Sequence, residues 1–118
     1  MKKILITGAD SYIGCSVENW LKNSTSEYQI DTVDMKSADW KTKDFSGYDS
    51  VFHVAGIAHV SADPKLDDLY LAVNRDLTIA TAKKAKEDGV KQFIFMSSII
   101  VYGDSSSNKR VITRETVP

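Results

Sequence analysis

The stretch KILITGADSYIG, residues 3–14, decides the fold of this protein. Its first part, Lys3 to Thr7, is a continuous apolar and β-branched run that stops at Gly8, a pattern typical of a strand buried on both faces of a parallel sheet. From Tyr12 to Lys22 the apolar residues follow helical spacing. The residues predicted to share one face of this helix are Ile13, Val17, Trp20 and Leu21. The stretch therefore predicts a strand, a glycine turn and a helix.

The rest of the chain continues this alternation of strands and helices. A long pattern with a period near 3.6 predicts a second helix from Pro64 to Asp88, and Gly89 is a suitable stop for it. Residues 36–49 are polar and are predicted to form a loop. The further predicted strands are Tyr28–Met35, Ser50–Ala55 and Gln92–Ser97. The order β-α-β-loop-β-α-β implies an α/β fold, a Rossmann-type parallel sheet with flanking helices of which the first four strands are present.

Composition excludes several classes of protein. With 118 residues the chain is one domain or part of one. Its 15 basic and 16 acidic residues leave a net charge of -1, so nothing indicates a nucleic-acid partner, and no apolar run approaches the roughly 18 residues of a membrane span. The single cysteine, Cys15, rules out an internal disulfide and fits a reducing, cytoplasmic location. His53 and His59 have no evident third ligand, so we expect no metal site.

The glycine loop lies where a dinucleotide fingerprint would lie, after a buried strand and at the start of a helix. Gly8 suits the tight turn, and Gly14 suits close packing of the helix on the strand. Ser11 replaces the middle glycine of the fingerprint, and its hydroxyl can donate to a phosphate oxygen. The alternative is a strand-turn-helix unit whose glycines serve turn geometry only.

Asp34 strengthens the dinucleotide interpretation. It ends the second strand, 20 residues after Gly14, where a carboxylate is expected to hydrogen-bond the adenosine ribose hydroxyls. A carboxylate at this place repels a 2'-phosphate, which favours NAD over NADP, although Lys36 could accommodate that phosphate. The alternative for Asp34 is a solvated strand end.

Four features in the same order resemble the extended short-chain dehydrogenase/reductase family, specifically its NAD-dependent sugar-nucleotide epimerases and dehydratases. They are TGADSYIG (7–14), Asp34, DSVFHVAGIAH (49–59) and VNRDLTIATAKKAKEDGVKQFIFMSSIIVYG (73–103). Within the family the chain looks most like the UDP-glucose/UDP-galactose 4-epimerase type. The resemblance implies NAD as cofactor and a nucleotide-sugar substrate, with hydride transfer at a sugar hydroxyl. The alternatives are a non-catalytic NAD(P)-binding regulatory or redox-sensing module, a dehydratase, and an NADP-dependent reductase.

The resemblance also implies roles for individual residues. Asp39 and Trp40 would hold the adenine, with Asp44-Phe45 as the competing pair. Ser98 would be the catalytic serine that hydrogen-bonds the reacting sugar hydroxyl, while Tyr102 of the VYG motif is not the catalytic base. The full set of expected cofactor-binding residues is Gly8, Ser11, Tyr12, Ile13, Gly14, Asp34, Asp39, Trp40, Val54, Ala55, Gly56, Asn74 and Ser97.

One part of the family pattern is missing from this sequence. The family uses a Tyr-x-x-x-Lys pair as general base, and none follows Ser98. We therefore expect residues 1–118 to be the amino-terminal part of an NAD-binding Rossmann domain, without the rest of that domain or a substrate domain, and inactive alone. The last predicted strand would then expose an apolar edge, so we also expect a homo-oligomer. The apolar residues concerned are Phe93, Phe95, Ile99 and Ile100.

Overall fold

A computed structural model describes residues 1–24, 26–56, 67–98 and 111–117. Its centre is a sheet of four parallel strands in the order β2-β1-β3-β4. This architecture confirms the predicted α/β fold with a parallel sheet. The strands are β1 (Lys2–Thr7), β2 (Tyr28–Val33), β3 (Ser50–His53) and β4 (Gln92–Phe95).

The strand order reverses at β1. The chain adds β2 on one side of β1 and then crosses to the other side to add β3 and β4. In the register of the sheet Thr7 pairs with Val33 on one side and with His53 on the other, so the three carboxyl ends are level. Ligands of open α/β sheets bind outside the carboxyl ends of the strands at such a reversal. This edge of the sheet is therefore where a site is expected.

Each of the strands β2, β3 and β4 ends two residues earlier than its apolar pattern predicts. The sequence predicts strands to residues 35, 55 and 97, whereas pairing stops at Val33, His53 and Phe95. The apolar pattern extends beyond the last paired residue of a strand in part because residues that follow the strand can still be buried. Met35, for example, is buried after β2 has ended.

The helices also differ from their patterns in instructive ways. Helix α1 (Tyr12–Ser24) buries Gly14 and half-buries Val17 and Leu21. The prediction that Trp20 shares this face is wrong, because its side chain is 67% exposed. At 100° per residue Trp20 lies about a quarter turn from the line through residues 14, 17 and 21. Ile13 is displaced in the same way and is also exposed.

The second helical region is not one regular helix. Helix α2 (Asp67–Tyr70) runs into a π-helical segment (Leu71–Leu77), which is followed by α3 (Thr78–Glu87). The sequence pattern predicts no such change of pitch. The predicted start at Pro64 lies outside the described residues, and the predicted stop is confirmed because Gly89 has φ +82° just beyond α3.

The connection from β2 to β3 supplies much of the core. It contains one 3-10 helix (Ala38–Thr42), which agrees with the predicted loop. Its apolar side chains nevertheless pack against β1, β3 and α3 rather than staying on the surface. The buried cluster consists of Leu5, Met35, Trp40, Phe45, Tyr48, Val51 and Ala85. A segment that reads as polar therefore closes one side of the sheet.

Candidate functional site at the carboxyl edge of the sheet

Gly8 is the first residue after β1 and has φ +93°. A side chain at this position would place Cβ 3.0 Å from the backbone nitrogen of Ala55, which follows β3. Because of the positive φ and of this short distance, any other residue at position 8 would require the backbone to shift. Gly8 thus lets the exits of β1 and β3 approach each other.

Ser11 caps helix α1. Its Oγ accepts a hydrogen bond from the backbone N–H of Gly14 at 3.0 Å, which satisfies one of the free donors in the first turn. A Cβ on Gly14 would lie 2.5 Å from this same oxygen and 3.2 Å from the carbonyl oxygen of Gly8. The serine at the middle position of the glycine motif therefore has a structural role, and its hydroxyl proton can still be donated elsewhere.

The start of α1 carries unused hydrogen-bond donors. The backbone N–H groups of Asp10, Tyr12 and Ile13 have no acceptor within the described part of the chain. They add to the positive end of the helix dipole, an arrangement that favours a phosphate group. Asp10 has φ +69° and an exposed carboxylate, so it places one negative charge beside these donors.

A cleft of about 500 Å³ opens in front of the glycine loop. Its walls come from the exits of β1, β2 and β3 and from the π-helical segment. This size is in the range of small-molecule sites. The lining residues are Gly8, Ala9, Asp10, Ser11, Asp34, Met35, Lys36, Ala55, Gly56, Val73 and Leu77.

Asp34 lies in this cleft across from the glycine loop. Its Oδ1 accepts a hydrogen bond from the backbone N–H of Lys36 at 2.9 Å, so a local turn orients the carboxylate. Asp34 is exposed, and Lys36 also lines the cleft. The carboxylate of Asp34, which favours NAD, and Lys36, which could accommodate the 2'-phosphate of NADP, thus line the same cleft.

The third wall combines the exit of β3 with the π-helical segment. Val54 lies behind the glycine loop, since its Cγ2 would be 3.2 Å from a Cβ on Gly8 or Gly14. Ala55 and Gly56 line the cleft itself. The side-chain oxygen Oδ1 of Asn74 would lie 3.1 Å from a Cβ on Gly56, so Asn74 packs directly over that glycine.

The remaining predicted site residues lie outside the cleft lining. Tyr12 and Ile13 are exposed at the start of α1. Asp39 is exposed, whereas Trp40 is 4% exposed and belongs to the core, so the adenine roles stay predictions. Ser97 and Ser98 follow β4 at the same edge of the sheet and are both exposed. Tyr102 and His59 lie outside the described residues.

Metal chemistry finds no support in the described ranges. They contain no group of three or more His, Cys, Asp or Glu side chains that could hold a metal ion. His53 is completely buried, and each of its ring nitrogens lies within hydrogen-bond distance of a threonine hydroxyl, so it is a packed, hydrogen-bonded histidine. Among the helices described here, none is long and apolar enough to cross a bilayer.

The sequence patterns do not predict several of the residues that line the cleft. Val73 and Leu77 look like ordinary core positions of an amphipathic helix, and only the packing of the π-helical segment turns them toward the cleft. The sequence could have indicated three others, because they are next to predicted site residues in the chain: Ala9, Asp10 and Met35.

Strand order, glycine loop and cleft together define a Rossmann-type α/β protein. The model of the NAD dependent epimerase/dehydratase family matches residues 4–118, and the chain belongs to this family. The resemblance drawn from the sequence is therefore confirmed. The choice of NAD is confirmed at the level of the family.

Individual relatives support this placement. A UDP-glucose 4-epimerase from Vibrio cholerae is 29% identical over 123 residues, covering 89% of this chain and 37% of that protein. The solved UDP-Glc/GlcNAc 4-epimerase from Campylobacter jejuni shares the fold at a TM-score of 0.75 and 22% identity, covering 99% of this chain and 43% of that one.

A further solved protein shares the fold of this chain. The UDP-glucose-4-epimerase from Stenotrophomonas maltophila, solved with bound NAD and formylated UDP-arabinopyranose, has a TM-score of 0.72 at 21% identity, covering 90% of this chain and 40% of that one. This chain thus spans about two fifths of the length of the solved relatives.

Proposed function

We propose that this chain binds NAD in the cleft and supplies the cofactor-binding part of a sugar-nucleotide epimerase or dehydratase, with UDP-hexose 4-epimerisation as the reaction. One observation carries the proposal: the glycine loop, which leads into the unused donors at the start of α1, and the oriented carboxylate of Asp34 line one cleft at the strand reversal. An anion site and a hydroxyl-binding carboxylate at this spacing suit a dinucleotide.

The residues present fit the cofactor. The N–H groups of Tyr12 and Ile13 and the hydroxyl of Ser11 would hold the pyrophosphate, helped by the dipole of α1. Asp34 would accept hydrogen bonds from ribose hydroxyls. Gly56 and Ala55 leave room for the cofactor to approach the backbone after β3.

The proposed reaction also assigns a role to Ser98. When bound, NAD accepts a hydride from a sugar carbon and returns it. Ser98, exposed just beyond β4, would hydrogen-bond the sugar hydroxyl at that carbon. A general base must take the hydroxyl proton, and no Tyr-x-x-x-Lys follows Ser98 in this sequence.

The domain organisation is part of the same proposal. Relatives of the family are longer than this chain by more than a factor of two. We propose that residues 1–118 form the amino-terminal part of the NAD-binding domain, with the base and the nucleotide-sugar site in further sequence. The purified chain is then expected to have no turnover with UDP-glucose or UDP-galactose, and robust turnover would overturn this part.

Calorimetry with NAD and NADP tests cofactor binding directly. The folded chain should bind NAD more tightly than NADP, because the Asp34 carboxylate repels a 2'-phosphate. Asp34→Asn keeps an acceptor for the Lys36 N–H but removes the charge, so NAD should bind about tenfold more weakly and the gap to NADP should narrow.

Glu87→Gln is the matched control, since it removes one exposed carboxylate at the end of α3, outside the cleft. It should leave both affinities unchanged. A folded chain that binds no NAD, or that prefers NADP, would refute the cofactor assignment. A longer natural form that binds NAD but never turns over a nucleotide sugar would instead favour a non-catalytic module.

A further inference from the structure

His53 is a buried polar ring at the carboxyl edge of the sheet. It is the last residue of β3 and has no exposed surface. Its Nδ1 lies 2.7 Å from Oγ1 of Thr7 on β1, and its Nε2 lies 3.0 Å from Oγ1 of Thr78 on α3. Phe93 stacks on the ring at 5.8 Å. The ring therefore links both central strands to the helix that covers them.

The hydrogen bonds that join Thr7, His53, Thr78 and Asn74 form a chain in which every bond can run in the same direction. Thr78 Oγ1 donates its single proton to the carbonyl oxygen of Asn74 at 3.1 Å. With its proton on that carbonyl oxygen, Thr78 Oγ1 accepts from His53, and this arrangement places the ring proton on Nε2 and leaves Nδ1 to accept from the Thr7 hydroxyl. The order of donation is Thr7 to His53, His53 to Thr78, and Thr78 to Asn74.

Each group in this chain lies next to a wall of the cleft. Thr7 precedes Gly8, and His53 lies two residues before Ala55. The chain ends at the carbonyl of Asn74, which belongs to the π-helical segment that also supplies Val73 and Leu77 to the cleft. Such segments often occur at functional sites, where a change of pitch moves side chains to new positions.

We propose that His53 is a positioning residue of the cofactor site, which holds the π-helical segment at the cleft through Thr78. The inference rests on the proposed function, because NAD is the ligand whose binding would report the position of the segment. Burial lowers the pKa of His53 to about 4, so the ring stays neutral and keeps this proton arrangement at neutral pH.

Two pairs of variants separate positioning from general stability. His53→Gln can place an amide donor near the position of Nε2 and so can keep the bond to Thr78. His53→Asn places an oxygen near Nδ1 instead and loses that bond. Thr78→Ser keeps the hydroxyl, whereas Thr78→Val replaces it with a methyl group of similar size.

Tyr48→Phe is the matched control. Tyr48 is buried in the core and donates its hydroxyl proton to Oδ2 of Asp31 at 2.6 Å, away from the cleft lining and from the hydrogen-bond chain through His53. The variant should lower the unfolding midpoint and leave NAD affinity unchanged, because the hydrogen bond that it loses lies away from the cleft.

Three measurements on each folded variant decide the question: NAD affinity by calorimetry, the urea unfolding midpoint, and the ring proton position from ¹⁵N chemical shifts. We expect Thr78→Val and His53→Asn to bind NAD about tenfold more weakly, with Thr78→Ser and His53→Gln near the unsubstituted chain. The shifts should report a proton on Nε2.

The outcomes are distinguishable. If the unsubstituted folded chain binds no NAD, the proposed function fails, and the ¹⁵N shifts still test the proton arrangement. If it binds NAD and Thr78→Val binds equally well, the positioning role is refuted. It is also refuted if NAD affinity merely follows the unfolding midpoint across all variants, so that Tyr48→Phe binds NAD as weakly as Thr78→Val.

Discussion

Acidification should weaken this fold through one buried histidine. Burial lowers the pKa of His53 from 6.5 to about 4. The unfolded chain therefore takes up the proton below about pH 6.5, whereas the folded chain resists it until about pH 4. The contribution of His53 to the free energy of unfolding is complete above pH 6.5 and is lost progressively as the pH falls. The total loss is about 3 kcal/mol, of which about 2 kcal/mol is already gone at pH 5.

Urea unfolding at pH 7.5 and pH 5.0 measures this loss. The control is His53→Gln, whose side chain does not titrate, so every carboxylate and His59 contribute equally to both chains. On going from pH 7.5 to pH 5.0, the unsubstituted chain should lose about 2 kcal/mol more of its free energy of unfolding than His53→Gln loses. A difference independent of pH, or a His53 ring that titrates near 6.5 by NMR, would refute the reasoning.

Three shorter predictions follow from the packing. Gly14→Ala should lower the free energy of unfolding by about 2 kcal/mol and weaken NAD binding, because the added methyl would lie 2.5 Å from the capping hydroxyl of Ser11. Gly89→Ala, whose methyl would have nothing within 4 Å, should lower the free energy of unfolding by about 1 kcal/mol through backbone strain and leave NAD binding unchanged. Equal effects of the two variants on NAD binding would contradict this. Asp88→Ala removes the acceptor of the Phe45 N–H at 3.0 Å and should lower the free energy of unfolding by about 2 kcal/mol in urea titrations, an expectation that a neutral effect would rule out. Light scattering should show self-association of the chain through the edge strand β4, and Phe95→Lys, which charges a side chain that is 51% exposed, should shift it to monomer; a monomeric unsubstituted chain would contradict the prediction.

The sheet was predictable because each strand carries its own signal. Buried parallel strands need continuous apolar runs, and the runs beginning at Lys3, Tyr28, Ser50 and Gln92 each became a strand. The buried face of α1 was less predictable. Gly14 contributes no hydrophobic signal, yet it sets the point where the helix approaches the sheet, so Trp20 is turned outward.

The glycine loop and Asp34 could also be found from spacing, since a turn after a buried strand and a carboxylate at the end of the next strand are separate local patterns. The role of Ser11 was harder to predict. Its hydroxyl could serve a phosphate, a helix cap or both, and only the 3.0 Å bond from the Gly14 N–H shows that it caps α1.

The sequence by itself determined the strand, the glycine turn and the helix that begin this protein, together with the family to which it belongs, because these depend on residues close together in the chain. Only the tertiary structure decided what surrounds the cleft. His53 meets Thr7 across 46 residues and Thr78 across 25, and no periodicity encodes such a meeting. Packing of β1, β3 and α3 against one another brings these hydroxyls to one ring, because a buried imidazole must find hydrogen-bond partners wherever the fold supplies them.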